Sequence, residues 1–242
     1  MTITILSSVE DLNIAAAELF IKAVRLNPKI VLGFSTGNSP KGIYQLLIQD
    51  HLKNKTSYKS VTTFNLDEYV GLGTSSEQNY RYFMDTHLFN HLDIDKSKTH
   101  VPSGLGDLDA SCRLYDEKIE KAGGIDLQLI GIGTNGHIAF NEPGTPFDTR
   151  THIANLSEET IEANSKDFPS KNDIPKRAVT MGIQSIMEAK QLVMVAFGKN
   201  KAEAIKRMIE GPIHTDMPAS ILQKHPNVTI FLDQEAASLL KK

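Results

Sequence analysis

With a single cysteine, Cys112, among 242 residues, the chain can form no internal disulfide, and a reducing compartment is the expectation. The thiol reads as a small buried or half-buried side chain and not as a nucleophile. No run approaches the roughly 18 apolar residues of a membrane span. The opening Met1-Thr-Ile-Thr-Ile-Leu6 lacks the basic and long apolar regions of a signal peptide and reads as a strand. Basic charge is not in excess: 26 Lys and Arg stand against 29 Asp and Glu, a net −3, which argues against nucleic acid as a partner. No His-Glu-x-x-His occurs and the one cysteine is remote, so no metal site is expected. Repeats, heptads, low-complexity segments and long polar linkers are missing as well. We therefore expect one soluble, cytoplasmic domain over residues 1–242.

The 40% of residues that are hydrophobic suffice for a core, and they fall in an alternating pattern. Strand-like runs cover Thr2–Leu6, Lys29–Phe34, Val61–Asn65, Ile125–Ile130, Gln191–Phe197 and Val228–Leu232. Helical spacing covers Val9–Arg25, the stretch after Pro40 through Tyr44, Leu47 and Ile48, Asn79–Phe89, Ser111–Lys121, Lys201–Glu210 and Glu235–Leu240. Such alternation predicts an α/β fold, a mainly parallel sheet covered by helices. Residues 145–180 are polar and irregular apart from a helix in Glu158–Asn164. The stretch exceeds ordinary connections, and two readings stay open: a lid over the site, or a surface excursion.

The most informative segment is Gly131-Ile-Gly-Thr-Asn-Gly-His-Ile-Ala-Phe-Asn-Glu-Pro-Gly144, directly after a strand. Glycines and prolines keep it irregular, so Asn135, His137, Asn141 and Glu142 lie on a loop at a strand's carboxyl end, where open α/β sheets bind ligands. His137 can accept and return a proton near neutral pH, its ordinary pKa being about 6.5. The spacing Gly131-x-Gly133-x-x-Gly136 also fits a dinucleotide fingerprint. That match fails, because no helix follows to meet a pyrophosphate.

Three other places carry candidate chemistry. Thr36-Gly37-Asn38-Ser39 precedes a helix opening near Pro40: either an anion site built on free N–H groups, or a βα turn with Ser39 as cap. Phe64-Asn-Leu-Asp67-Glu68-Tyr69 sets acids just past a strand, as a general base or as acceptors of turn N–H groups. Lys166 and Lys201 are possible phosphate partners, and Lys201 opens a helix, a poor place for a cation without an anion nearby.

Together, Phe64-Asn-Leu-Asp-Glu-Tyr69 and Asn135-Gly-His-Ile-Ala-Phe-Asn-Glu-Pro143 resemble the glucosamine-6-phosphate deaminase family, also called glucosamine-6-phosphate isomerases. The resemblance runs from the Ser-Thr-Gly-Asn-Ser loop to Gly198-Lys-Asn-Lys201. It implies a Rossmann-like three-layer α/β/α sandwich that turns glucosamine 6-phosphate and water into fructose 6-phosphate and ammonia, with no metal or organic cofactor. By similarity His137 carries the ring-opening proton, with Glu142 and Asn135 positioning and tuning it, and Asp67 moves a proton from C2 to C1. The phosphate positions map to Thr36, Gly37, Asn38, Ser39, Lys166 and Lys201. Lys166 replaces an arginine of longer members, losing the bidentate fork, and Asn135 replaces an aspartate.

Longer members are hexamers activated by N-acetylglucosamine 6-phosphate. This chain ends soon after Leu240, and has His152, Ala154 and Asn155 where those members place effector contacts. The implied protein is a monomer or small homo-oligomer without that activation. Two other readings compete. 6-Phosphogluconolactonase shares the fold and the Gly-x-Gly-x-x-Gly-His core, but not the Asn-Leu-Asp-Glu-Tyr and Phe-Asn-Glu-Pro pieces. A sugar-phosphate sensor would need a DNA-binding segment, and one strand and one helix at the N-terminus leave no room for it.

Overall fold

The computed structural model describes residues 1–73, 75–170 and 173–241. β1 (Thr2–Leu6) leads into α1 (Val9–Leu26), whose N-terminus is capped by the Ser8 hydroxyl accepting from the Asp11 N–H. Glu10 and Asp11 add negative charge at the helix's positive end, and its buried stripe is Leu12, Ala16, Phe20 and Val24. β2 (Val31–Phe34), α2 (Lys41–Asn54), β3 (Thr62–Asn65), β4 (Asp67–Tyr69), α3 (Tyr80–His87), β5 (Thr99–His100), α4 (Leu108–Lys121) and β6 (Leu127–Ile130) follow. The chain then runs through β7 (His152–Asn155), α5 (Glu158–Asn164), β8 (Arg177–Thr180), α6 (Ile183–Met187), β9 (Leu192–Ala196), α7 (Ala202–Glu210) and β10 (Val228–Asp233).

Seven strands form one sheet in the order β1-β10-β9-β6-β2-β3-β5, every described pairing parallel. Strands buried on both faces carry apolar residues at successive positions, and β9 shows why. Its Val193 and Val195 pack with Leu12, Phe20 and Tyr44 of α1 and α2, whereas Leu192, Met194 and Ala196 pack with Ile186, Ile205 and Met208 of α6 and α7. Helix, sheet and helix make three layers, as expected. From β2 the chain places β3 and β5 on one side, then returns to lay β6 on the other. The strand order therefore reverses at the β2–β6 junction, where α/β sheets open a crevice at their carboxyl ends.

A second, three-stranded antiparallel sheet, β4-β8-β7, stands beside that crevice. This corrects the expectation that residues 145–180 are irregular beyond one helix. β7 and β8 pair in register, Ile153 with Val179, and β4 joins through Asp67 opposite Thr180. Lys171 and Asn172 of the same stretch lie outside the described residues. The helix expected at Glu158–Asn164 is α5. The helix expected at Glu235–Leu240 is instead a run of turns, opened by Asp233 Oδ1 accepting from Ala236 N–H at 2.7 Å and continued by i→i+3 bonds from Ser238 N–H to Glu235 and from Leu240 N–H to Ala237. The 3-10 helix Pro218–Lys224 was not expected. Among the described residues no helix is long and apolar enough to cross a membrane.

Candidate active site

The loop after β2 begins at Ser35, whose carbonyl accepts the Tyr44 hydroxyl at 2.5 Å, tying the loop to the helix that follows it. Gly37 has φ +87°, a left-handed turn that favours glycine. α2 starts at Lys41 with Pro40 in the cap position, one residue later than the sequence suggested, and no side chain caps it. No acid stands in its first turn either. Ser39 is thus not the cap, and the first N–H groups of α2 carry the partial positive charge of an anion site.

Asp67 and Glu68 are adjacent and both buried, and their surroundings separate them. Glu68 accepts from the N–H groups of Tyr69, Tyr80 and Arg81, so it caps the start of α3. Burial pushes its carboxyl up to about 7, with those donors pulling the other way. The Asp67 carboxylate lines the crevice, and among the described residues no hydrogen bond to it stands beside its burial and the Glu68 charge. Burial, and secondarily the Glu68 charge, pushes it up to about 8. Glu68 braces the backbone, and Asp67 is left as a strongly basic carboxylate.

The loop after β6 folds back on itself: Gly133 N–H donates to the His137 carbonyl and Gly136 N–H to the Gly133 carbonyl. A Cβ on Gly133 would stand 2.3 Å from the His137 ring, so the imidazole lies flat on bare backbone. Asn135 Oδ1 accepts from the His137 N–H at 3.1 Å, and its amide donates to Glu142 Oε2 at 2.9 Å. Asn135 therefore reaches the imidazole only through the main chain and Glu142. Burial raises the Glu142 carboxyl, but the neighbouring His137 imidazole, the Thr160 hydroxyl and the Asn135 amide together hold it down at about 2. Its Oε2 is 3.7 Å from His137 Nδ1. Asn141 is wholly buried and donates to the Ile138 and Met181 carbonyls, a brace with no face on the cleft. Ala139, with φ +52°, holds a left-handed conformation that costs a non-glycine residue about 1–2 kcal/mol. The next residue is pinned by Phe140 N–H donating to Thr180 Oγ1.

These elements enclose a cleft of about 360 Å³. Thr36, Gly37, Asn38 and Ser39 line it, with Asp67 and His137 on its walls and Lys166 and Lys201 beside them. Lys166 sits in the short turn after α5, and Lys201 in the cap position of α7 with no side-chain cap. Burial, and then the like charge of Lys166, lowers the Lys201 pKa, while Glu159 partly offsets this. Two crowded cations with too little counter-charge are arranged for an anion. Asn135 and Glu142 stand behind His137 and do not line the cleft. The residues that sequence reasoning missed are Tyr80, Thr134, Glu159, Thr160 and Asn200. Thr134 donates to Glu159 at 2.7 Å and Thr160 touches His137, contacts between segments more than twenty positions apart that no local pattern signals. No group of three or more His, Cys, Asp or Glu among the described residues is arranged to hold a metal.

The family model described as glucosamine-6-phosphate isomerases/6-phosphogluconolactonase matches residues 7–231. A glucosamine-6-phosphate deaminase of Thermoanaerobacter pseudethanolicus is 48% identical over 241 residues, covering 99% of this chain and 95% of that one. One of Clostridium perfringens is 46% identical over 242 residues, covering 100% of both. A solved structure of a monomeric glucosamine-6-phosphate deaminase superposes with a TM-score of 0.98 at 43% identity, covering 99% of this chain and 100% of the other. The 6-phosphogluconolactonase of Trypanosoma cruzi superposes at 0.78 with 22% identity, over 100% of this chain and 97% of its own, a likeness of fold alone.

Proposed function

This chain belongs to the glucosamine-6-phosphate isomerase/6-phosphogluconolactonase family, and on that premise we propose that it converts glucosamine 6-phosphate and water to fructose 6-phosphate and ammonia. One observation carries the assignment of roles. A buried carboxylate with no hydrogen-bond donor among the described residues, Asp67, and a histidine backed by an ionised carboxylate, His137 with Glu142, share a cleft with two crowded lysines. The sugar phosphate binds with its phosphate on the Thr36–Ser39 backbone and between Lys166 and Lys201. His137 takes the proton of the C1 hydroxyl and passes it to the ring oxygen, so the ring opens to the aldehyde. That aldehyde acidifies the C2 hydrogen. Asp67 takes this proton and returns it to C1, and the resulting imine adds water and releases ammonia.

The raised basicity of Asp67 suits abstraction from carbon, and the substrate's own ammonium helps, since an adjacent cation favours the ionised carboxylate. α5 and the turn after it bring Thr160 and Lys166 to the cleft, which supports residues 145–180 as a lid. The large sheet draws strands from both halves of the chain, which supports a single domain. The likeness to a monomeric deaminase supports a monomer or small oligomer.

A coupled assay for fructose 6-phosphate and ammonia is the test. Wild type releases both in a 1:1 ratio, and Asp67→Asn loses about 10²-fold or more in kcat while remaining folded. Absence of turnover by folded wild type, with hydrolysis of 6-phosphogluconolactone instead, would assign the protein to the other branch of the family.

A further inference from the structure

His137 meets partners from two directions, and the nearer one comes from outside its own loop. Nδ1 is 3.7 Å from Glu142 Oε2, beyond hydrogen-bond reach, and 3.4 Å from Thr160 Oγ1, at the long edge of it. Ser157 Oγ donates to Thr160 Oγ1 at 3.0 Å. A hydroxyl can accept two hydrogen bonds and donate one. Glu142 is ionised at neutral pH, and its carboxylate 3.7 Å away favours the proton on the Nδ1 side of the ring. The Thr160 oxygen then accepts from Ser157 and from Nδ1–H. Thr160 is only 2% exposed, which leaves water little access to this exchange.

We propose that Thr160 is a positioning residue for His137, its hydroxyl oxygen accepting Nδ1–H beside the Glu142 carboxylate and so leaving Nε2 as the unprotonated nitrogen that faces the cleft. The inference rests on the reading of His137 as the ring-opening base. No covalent step is added: the C1 hydroxyl proton still passes to Nε2 and on to the ring oxygen. The Thr160 contact keeps the imidazole in the tautomer able to take it, with the Glu142 charge 3.7 Å from the transient imidazolium.

The contact has a second consequence, because Thr160 rides on α5. Two further bonds seat that helix on the catalytic loop: Thr134 Oγ1 donates to Glu159 at 2.7 Å, and Ser157 N–H donates to Glu142 Oε1 at 3.3 Å. The same segment carries Lys166. One short segment thus presents a cation to the phosphate end and a hydroxyl to the histidine.

Thr160→Val removes the hydroxyl at nearly constant volume, and Thr160→Ser keeps it. Thr160→Ala gives the same reading should the buried valine disturb α5. Two measurements are made on each: kcat and KM for glucosamine 6-phosphate, and the ¹⁵N shifts of the His137 ring where the imidazole is neutral, assigned by comparison with His137→Gln. The expected result is a kcat lower by about tenfold or more in the valine and alanine variants, with KM within about twofold. The ring moves from the Nδ1–H tautomer toward a mixture, and serine restores both. Wild-type kcat and an unchanged tautomer in Thr160→Val would overturn the proposal, and so would serine being as impaired as valine. A wild type that does not turn over glucosamine 6-phosphate, but whose His137 tautomer still depends on the Thr160 hydroxyl, would sink the deaminase reading and leave this positioning role standing.

Discussion

At the scale of single residues, Asp67 is a group the fold would be more stable without. A folded Asp67 keeps its proton up to about 8, whereas an unfolded aspartate releases it near about 3.9. Between those values only the folded chain holds that proton, so this residue's contribution to stability falls as pH rises. Asp67→Asn is expected to raise Tm by about 4 °C or more at pH 8.5 while abolishing turnover, measured by thermal unfolding beside the assay. Glu142 has the opposite sign. Its contribution is fully present above the unfolded value of about 4.3 and is lost as pH falls toward about 2, so Glu142→Gln weakens the fold at pH 6 and matches wild type near pH 2. The kinetics follow the same group. The acid limb of kcat/KM should lie near pH 8, where free Asp67 ionises, and the limb of kcat lower, because the bound ammonium favours the carboxylate. Coincident limbs in a steady-state pH series would contradict this. Asp67 and His137 were legible because each sits in a motif at a strand end. Thr160 was not, since its partner is 23 positions away and meets it only through tertiary folding.

At the scale of elements, periodicity located what is long and amphipathic and missed what is short. α1 was read almost to its ends because a four-residue apolar step recurs over 18 residues. β5 has two residues and β4 three, too few for a period, and the four residues of β7 run half-buried, half-buried, buried, exposed, without an alternation to read. Their pairing depends on neighbours that a local window does not contain. The Thr36–Ser39 loop lies at the cleft, and its reading as a Ser39-capped turn fell only when the helix start was seen at Lys41. Two substitutions test the element-level account by denaturant unfolding. Phe20→Ala removes a wholly buried ring stacked 5.9 Å from Phe34 and should cost about 3–5 kcal/mol. Glu68→Ala leaves the Tyr80 and Arg81 N–H groups without their acceptor and should cost about 1–3 kcal/mol, whereas the neighbouring Asp67→Asn costs nothing.

At the scale of the whole molecule, the strand order places the cleft where β2 and β6 part, with walls drawn from both halves of the chain. Light scattering after size exclusion is expected to give one or a few copies, and N-acetylglucosamine 6-phosphate to leave the saturation curve for substrate unchanged. A hexamer with saturable activation by that compound would refute both. The parallel order has one more consequence, a matter of time rather than space. Of the described strands, β1 leaves the ribosome before the others, and the strand it pairs with, β10, leaves after them. Throughout elongation its bonding edge must wait, unanswered, until residues near 233 have cleared the exit tunnel. Such an edge is an invitation to wrong pairing, so the nascent chain is at its most vulnerable to aggregation late in synthesis, when every described strand but β10 has already been made.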